Sequence, residues 1–573
     1  MTYFLQNYTL HYTPLSPIHI GTGDSYEPTN YVIDDQCLYE FDSGGALAAL
    51  DATARQELEK IVSGKSDDIL KAVQAFFYRQ REALKPWAKN TLPVLDGVTK
   101  LYAARVGQTA NKQGNGVQII NKLEIGRTAY NPVTSRPVLF GSAIKGALRT
   151  ALLNAANQNQ PLSDNATNWF KIDKLEKFER KKYEKEQNKL FPQLNQKLFS
   201  KFEQDPLRLV QISDAAWCSQ DNLPSAQVQF SVNRKKELKR DKNGTELYSN
   251  AEKQNLSKLL ECLPAWRYRA FCGQLNLQQI NITGHNQKQP SADLRYTISQ
   301  IAKTCSSFYL PILKNEIKIL RERGFLDDAW DNSIQALLST MAIKMQKGEV
   351  FLLRVGRHSG AESITLNGVR HIKIMKGTPE YQPQTKTLWL AADQPQQRNG
   401  LLPFGWVLVE ISPGDASAPD WTELAELCEQ HTADARLWAE KLAAHISDLA
   451  EKRVTAADKR QREESERLER IAEEKADAEK KRIEAQAEQR RLAIMSDEQR
   501  QIEVLRQLLS QKQNSKVREQ IGGPLYTALR ALVTKASDWP DEAKAELLVV
   551  AKLLLDYIGA AKNAKAKELL KNL

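Results

Sequence analysis

No stretch of about 18 uninterrupted apolar residues occurs in the 573-residue sequence, which argues against a membrane-spanning helix. The richest candidate, Leu547 to Ile558, is interrupted by Lys552 and Asp556. The first residues alternate apolar and polar side chains where an export signal would show a basic region, an apolar core and a small-residue cleavage site. No export is therefore expected, and a reducing cytoplasm is. Cysteine is scarce: Cys37, Cys218, Cys262, Cys272, Cys305 and Cys428 lie scattered, with no CxxC pair and no His-x3-His partner. That spacing argues against a disulfide scaffold or a zinc knuckle, so no metal and no cofactor is expected. What is present is the composition of a soluble globular protein, with 41% hydrophobic and 26% charged residues, which excludes collagen-like and wholly disordered chains. The net charge of +11 points towards a polyanionic partner such as nucleic acid, the alternative being a soluble basic protein with no such partner.

Along the chain, Tyr8, Leu10 and Tyr12 alternate with Thr9, His11 and Thr13, the period of a strand with one buried face. Tyr31 to Ile33 and Cys37 to Tyr39 flank Asp34-Asp35-Gln36 and read as a hairpin. Helical spacing runs from Ala46 to Phe77 and from Ser142 to Asn154, and further strands are expected at Leu209 to Ile212, Val228 to Val232, Val350 to Val355 and Trp406 to Ile411. The class is therefore α+β. Lys171 to Lys189 and Arg234 to Asn243 are rich in lysine and read as exposed insertions or loops. Pro413-Gly414, with Ser417 and Pro419, is read as a domain boundary.

Beyond Trp421 the sequence looks helical to its end. Residues 451–500 hold 14 basic and 14 acidic side chains with no glycine or proline, which predicts a solvated helix laced by i,i+4 ion pairs, a coiled coil being the alternative. Because this run is neutral, the basic excess lies outside it. Gly522-Gly523-Pro524 and Ser537 to Pro540 separate three amphipathic stretches, suggesting a small helical bundle. The expected organisation is a first domain over 1–297, a second over 298–412, a charged helical segment over 420–500 and the bundle over 501–573.

Three segments carry chemistry. In Arg136 to Thr150, an extended apolar run enters Gly141-Ser142 and a helix, with Ser142 as its expected N-cap. Free amides at the helix start suit a phosphate oxygen, and Lys145 and Arg149 share one face from which both reach it. Gly141 and Gly146 have the spacing of a nucleotide-binding P-loop, but Ala147 and Leu148 replace the residues that would meet a nucleotide and Mg²⁺. The alternative is a capped helix packed closely through Gly146. A second turn, Ser16 to Gly23, contains His19, Gly21 and Gly23 directly after the first strand, a place for close backbone approach or for a satisfied core histidine. A third, Arg354 to Gly360, puts cations, an imidazole and small residues in one turn, or is an ordinary polar hairpin.

These three segments, in this order, resemble the RAMP superfamily of CRISPR-associated proteins. SPIHIGTG is similar to the family's N-terminal strand and turn, and NPVTSRPVLFGSAIKGALRTALL to its glycine-rich strand-to-helix element. DPLRLVQISDA, LLRVGRHSGAESITL and LLPFGWVLVEI narrow the resemblance to the terminal RAMP subunit, fifth in the naming series, of the type III-A Csm effector complex, over roughly residues 1–412. The resemblance implies two ferredoxin-like, RRM-related domains that bind CRISPR guide RNA, cap the 3′ side of the guide and the backbone filament, and take part in guide maturation and antiviral defence. It implies as partners the guide RNA, the other RAMP backbone and small subunits, and possible contact with target RNA, with no membrane. The RNA contacts it implies are His19, Gly21, Gly23, Arg127, Gly141, Ser142, Lys145, Gly146 and Arg149, with Arg357 and His358 added by the third turn. Asp24 lies near the place of the catalytic aspartate of related backbone subunits, but GTGDSYEP departs from their pattern, and no catalysis is assigned to it. The expectation is RNA binding without chemistry. The alternatives are a metal-independent RAMP endoribonuclease acting on CRISPR repeats through His19, a different type III backbone subunit, or a pure interaction protein.

Overall fold

The alternation at the N-terminus produces β1 (Leu5–Pro14), in which Leu10 and Tyr12 are buried while His11 on the opposite face is half-buried. The computed structural model describes residues 4–64, 69–108, 123–160, 177–219, 221–253, 256–280, 289–374, 380–414, 416–515 and 519–573. In chain order the elements that position the site are β1, β2 (Gly21–Tyr26), β3 (Ile125–Thr128), α1 (Gly141–Asn157), β4 (Gln227–Lys235), β5 (Ser257–Cys262), β6 (Phe271–Gln278), α2 (Ile298–Glu322), α3 (Asp328–Lys347), β7 (Val350–Arg354), β8 (Thr387–Ala392) and β9 (Trp406–Pro413).

They build two sheets. The first has the order β7-β9-β1-β6, continued by the short strands Ala215–Trp217 and Val138–Leu139, with Val210–Ile212 also on β6. The second runs Leu402–Pro403, β8, β4, β5, β3, β2, and only its β5–β3 contact is parallel. β1 pairs with β6 on one side and β9 on the other, and β4 pairs with β8, so the expected division at 297/298 runs through both sheets. The α+β class holds. The hairpin forms as Tyr31–Asp34 and Cys37–Glu40, turned by Asp35 and Gln36 at φ +47° and +58°. Ala46 to Phe77 is divided among three helices, Ser43–Ala49, Ala52–Ser63 and Ile69–Arg79.

α2 and α3 cover the first sheet, with Trp330 of α3 buried and its indole N–H donating to the Leu15 carbonyl. Arg234 corrects the expectation of an exposed loop from Arg234 to Asn243. It belongs to β4, is 3% exposed, and donates to the carbonyls of Asn233, Pro395 and Gln397, which satisfy a guanidinium that would otherwise not be buried. Of the stretch Lys171 to Lys189, the part up to 176 lies outside the described residues, and the rest belongs to a helix, Lys177–Phe199.

The boundary expected at Pro413 is also corrected: the first compact unit ends at Val454 and the second spans Thr455–Leu573. The reason is apolar. Trp421, Leu424 and Cys428 join the main core, His431 stacks on Trp266 at 4.7 Å and hydrogen-bonds Ser333, and Leu449 is buried against the core around Phe41 and Phe77. The helix α4 (Ala433–Ile494) contains the 454/455 division. Its charged part is laced as expected, by Lys481–Asp477 at i,i+4 and by Arg467–Glu464 and Arg482–Glu479 at i,i+3, all exposed and worth about 0.3–0.5 kcal/mol each. In the second unit, α5 (Asp497–Asn514), α6 (Pro524–Lys535), α7 (Asp541–Tyr557) and α8 (Ala564–Leu570) share one core built on Ile502, Leu529, Leu547 and Leu554.

Candidate functional site

The second and third sequence turns, more than 330 residues apart, meet. The Arg357 N–H donates to the His19 carbonyl at 2.8 Å, Val355 N–H to Gly405, and Gly405 N–H to Pro17. Gly356 makes this possible: it has φ +82°, and a Cβ there would lie 2.5 Å from the His19 carbonyl oxygen. His19 is buried, and its Nδ1 bonds the Glu261 carbonyl at 2.8 Å. A carbonyl only accepts, so Nδ1 carries the proton and Nε2 is left as an acceptor. Burial pushes the imidazole pKa down, offset in part by that bond, with Arg357 lowering it further. The ring packs beside Gly21 and Gly126, on either of which a Cβ would lie 3.4–3.6 Å from it. Gly21 to Asp24 forms an exposed bulge of β2, with Gly23 at φ +92°.

Under this turn is a buried polar network. The Glu261 carboxyl accepts from the Tyr26 hydroxyl and the Thr128 N–H, and burial pushes it up to about 7 against the pull of Arg127. Arg127 itself donates to Glu40 at 3.0 Å and lies over the rings of Tyr26 and Tyr130, so its guanidinium is engaged within the protein.

Beside the turn opens a cleft of about 940 Å³ lined by residues of β3 and β5, by the helix Asp96–Arg105 and by residues 394–396. Its lining carries Lys100, Arg105, Lys258 and Arg357 against a single acid, Glu124. Lys100 is bridged to Asp96 at 2.5 Å. Burial, then the nearby Arg357, push Lys258 down. Lys258 lies 5.9 Å from the centre of the Trp389 ring, on which His358 stacks at 4.8 Å. His358 sits at φ +67°, its buried Nε2 has no partner among the described residues, and burial together with Arg357, Lys258 and His19 pushes it down to about 3.

The glycine-rich helix is built differently from its expectation. Its N-cap is Phe140, not Ser142, which stands one residue inside α1 and is exposed. The Gly141 N–H, the amide best placed for an anion, already donates to the Asp214 carboxylate at 2.7 Å, and a Cβ on Gly141 would meet the carbonyls of Ile212 and Ser213 at 2.7 Å. Lys145 donates to the Val210 carbonyl, and Arg149 to Asp205 and Asn195. Gly146 faces open space, so close packing through it does not explain the glycine. His19, Gly21, Arg357 and His358 are thus brought together, while Lys145 and Arg149 are held by the 195–210 region. Sequence reading missed Lys100, Arg105, Lys258 and Trp389, none of which lies in a segment with a local signature. Among the described residues no group of three or more His, Cys, Asp or Glu is placed to hold a metal ion.

Fold and cleft together define an α+β protein with a cation-lined groove on its second sheet. The model of the RAMP superfamily matches residues 11–357, more than half of the sequence, and the chain belongs to that superfamily. No curated protein matches the sequence. Among solved structures the chain is similar to one from the cryo-EM structure of a Csm–crRNA–target RNA ternary complex of a type III-A CRISPR-Cas system, at 14% identity and TM-score 0.38, covering 71% of this chain and 100% of that one. It is likewise similar to Csm5 of T. onnurineus, at 14% identity and TM-score 0.38, covering 70% and 99%. Among the described residues no helix is long and apolar enough to cross a membrane.

Proposed function

We propose that the chain is a CRISPR RNA-binding subunit of a type III-A effector complex that caps the 3′ side of the guide and ends the backbone filament, with guide RNA and the other RAMP and small subunits as partners. The observation that carries this reading is the joining of SPIHIGTG to RVGRHSG through the His19 carbonyl, in a chain whose family match contains the first segment and reaches Arg357 in the second. The narrower assignment to the terminal subunit rests on the resemblance of Asp205 to Ala215, Leu352 to Leu366 and Leu401 to Ile411. We read it as a binder without chemistry. General acid-base cleavage requires side chains that reach the 2′-hydroxyl, and His19 is 1% exposed with Nδ1 committed to a backbone carbonyl. A ferredoxin-like pair of domains and a C-terminal helical bundle belong to the same reading.

The test is co-expression with the remaining subunits and a guide locus, followed by sequencing of the copurified RNA. Omitting this chain is expected to lengthen or scatter the guide 3′ ends and the filament. Unchanged 3′ ends and filament length would refute capping. Purified protein that cuts repeat RNA, and loses the activity on His19→Ala, would replace the reading with the endoribonuclease.

A further inference from the structure

We propose that the cleft between β3, β5 and the Asp96–Arg105 helix is the phosphodiester site for single-stranded RNA, with Lys258 and Arg357 as its phosphate ligands and the Trp389–His358 stack beside them; this rests on the RNA-binding reading above. The argument begins with charge. Lys258 and Arg357 form no ion pair with any described residue, and Arg357 acts on Lys258 as a like charge. Two cations held side by side without a counter-ion repel each other, and a bound anion relieves that repulsion. The helix start that the sequence offers for phosphate is in the opposite condition: the Gly141 amide holds the Asp214 carboxylate, and Arg149 holds Asp205.

Shape selects the kind of anion. About 940 Å³ is far more than one phosphate group fills and stands at the upper end of small-ligand pockets. The lining cations are spread over three separate elements, Lys100 and Arg105 on one helix, Lys258 on β5 and Arg357 on the third turn, which suits a series of phosphates along a strand. Trp389 supplies an aromatic face next to this row, the pairing of cation track and stacking surface by which proteins hold single-stranded nucleic acid without reading its sequence. Two features place the site deliberately. Gly356 lets the third turn lie against His19 and so fixes where Arg357 emerges, and Gly126 on β3 lines the cleft in front of the His19 ring.

The experiment uses the full chain and a short fluorescent oligouridine RNA, titrated at several salt concentrations. Each phosphate contact to a single strand contributes about 0.7 to the slope of log affinity against log salt. Lys258→Ala with Arg357→Ala is therefore expected to make the slope shallower by about 1.4, which removes about sevenfold of the affinity change between roughly 50 and 200 mM salt. Lys303→Ala with Lys314→Ala, two exposed cations on α2, serves as the charge-matched control and is expected to move the slope far less. Should the Lys258 variant fold poorly, Arg357→Gln alone, at an exposed position, is expected to remove half of the effect. If the wild-type chain binds RNA and these variants keep its slope, the cleft assignment is wrong and the RNA-binding reading stands. If the control pair loses as much as the cleft pair, the effect is net charge and the cleft assignment falls. Failure of the wild-type chain to bind RNA at low salt overturns both.

Discussion

Cutting the chain after Ser412 is expected to unfold the RAMP portion, whereas cutting it after Val454 leaves it intact. The removed segment is not an appendage: Trp421 is 3% exposed, Leu424 0%, Cys428 3% and Leu449 8%. At roughly 1.5–3 kcal/mol for each fully buried large apolar side chain, these four contribute on the order of 6–12 kcal/mol. A compact unfolded chain reduces that figure somewhat. Domains are stable by about 5–15 kcal/mol, so the loss is comparable with the whole. Polar partners go too: Ser333 loses His431, Tyr39 loses His445, and Arg269 loses the Pro419 carbonyl while keeping Glu410. The assay is urea unfolding of the fragments 1–412 and 1–454, followed by circular dichroism and tryptophan fluorescence. The longer fragment should unfold in one transition, and the shorter should be insoluble or lack a folded baseline. A soluble 1–412 fragment with the midpoint of 1–454 would refute the reasoning, because it would mean that the buried face of residues 421–449 contributes nothing.

Two further outcomes follow from the buried groups around His19. Glu261 titrates near 7 when folded against 4.5 when unfolded, so the native state holds its proton more tightly, and this carboxyl makes stability fall as pH rises from 4.5 through 7, by up to about 3 kcal/mol. Glu261→Gln should flatten that part of the stability-pH curve relative to wild type, measured by urea midpoints at pH 5 and pH 8; an identical pH dependence would show that the carboxyl is not shifted. Gly356→Ala puts a Cβ at 2.5 Å from the His19 carbonyl in a left-handed backbone and should cost about 1–3 kcal/mol more than Gly324→Ala, whose Cβ meets nothing within 4 Å at φ +63°. Equal losses in the two variants, by the same denaturation assay, would leave strain in the backbone as the whole cause and deny the close approach.

What the sequence made legible divides along a physical line between local and long-range signals. β1 and the hairpin at Asp35-Gln36 were readable because a period of two and a polar turn are written within a few residues. The charged helix was readable because ion pairs at i,i+3 and i,i+4 are too. The end of the first unit was not, since Pro413-Gly414 breaks the local pattern while Trp421, Leu424 and Cys428 are drawn back by a core that gathers residues from as far as Leu10. The same holds for the site. Phosphate chemistry was visible in Gly141, Lys145 and Arg149 as residue types, but whether a cation is available depends on its partners, and Asp205 and Asp214 are remote in sequence from the groups they satisfy. Conversely Lys258 looks in the sequence like any lysine before an apolar pair, and only the parallel pairing of β5 with β3 and the docking of the third turn on His19 set it beside Arg357 with no ion pair to a described residue. A motif names which residues have the right chemistry; the fold decides which of them are already used. By that criterion the cations left unneutralised, rather than the glycine-rich helix itself, are where a polyanion gains most from binding.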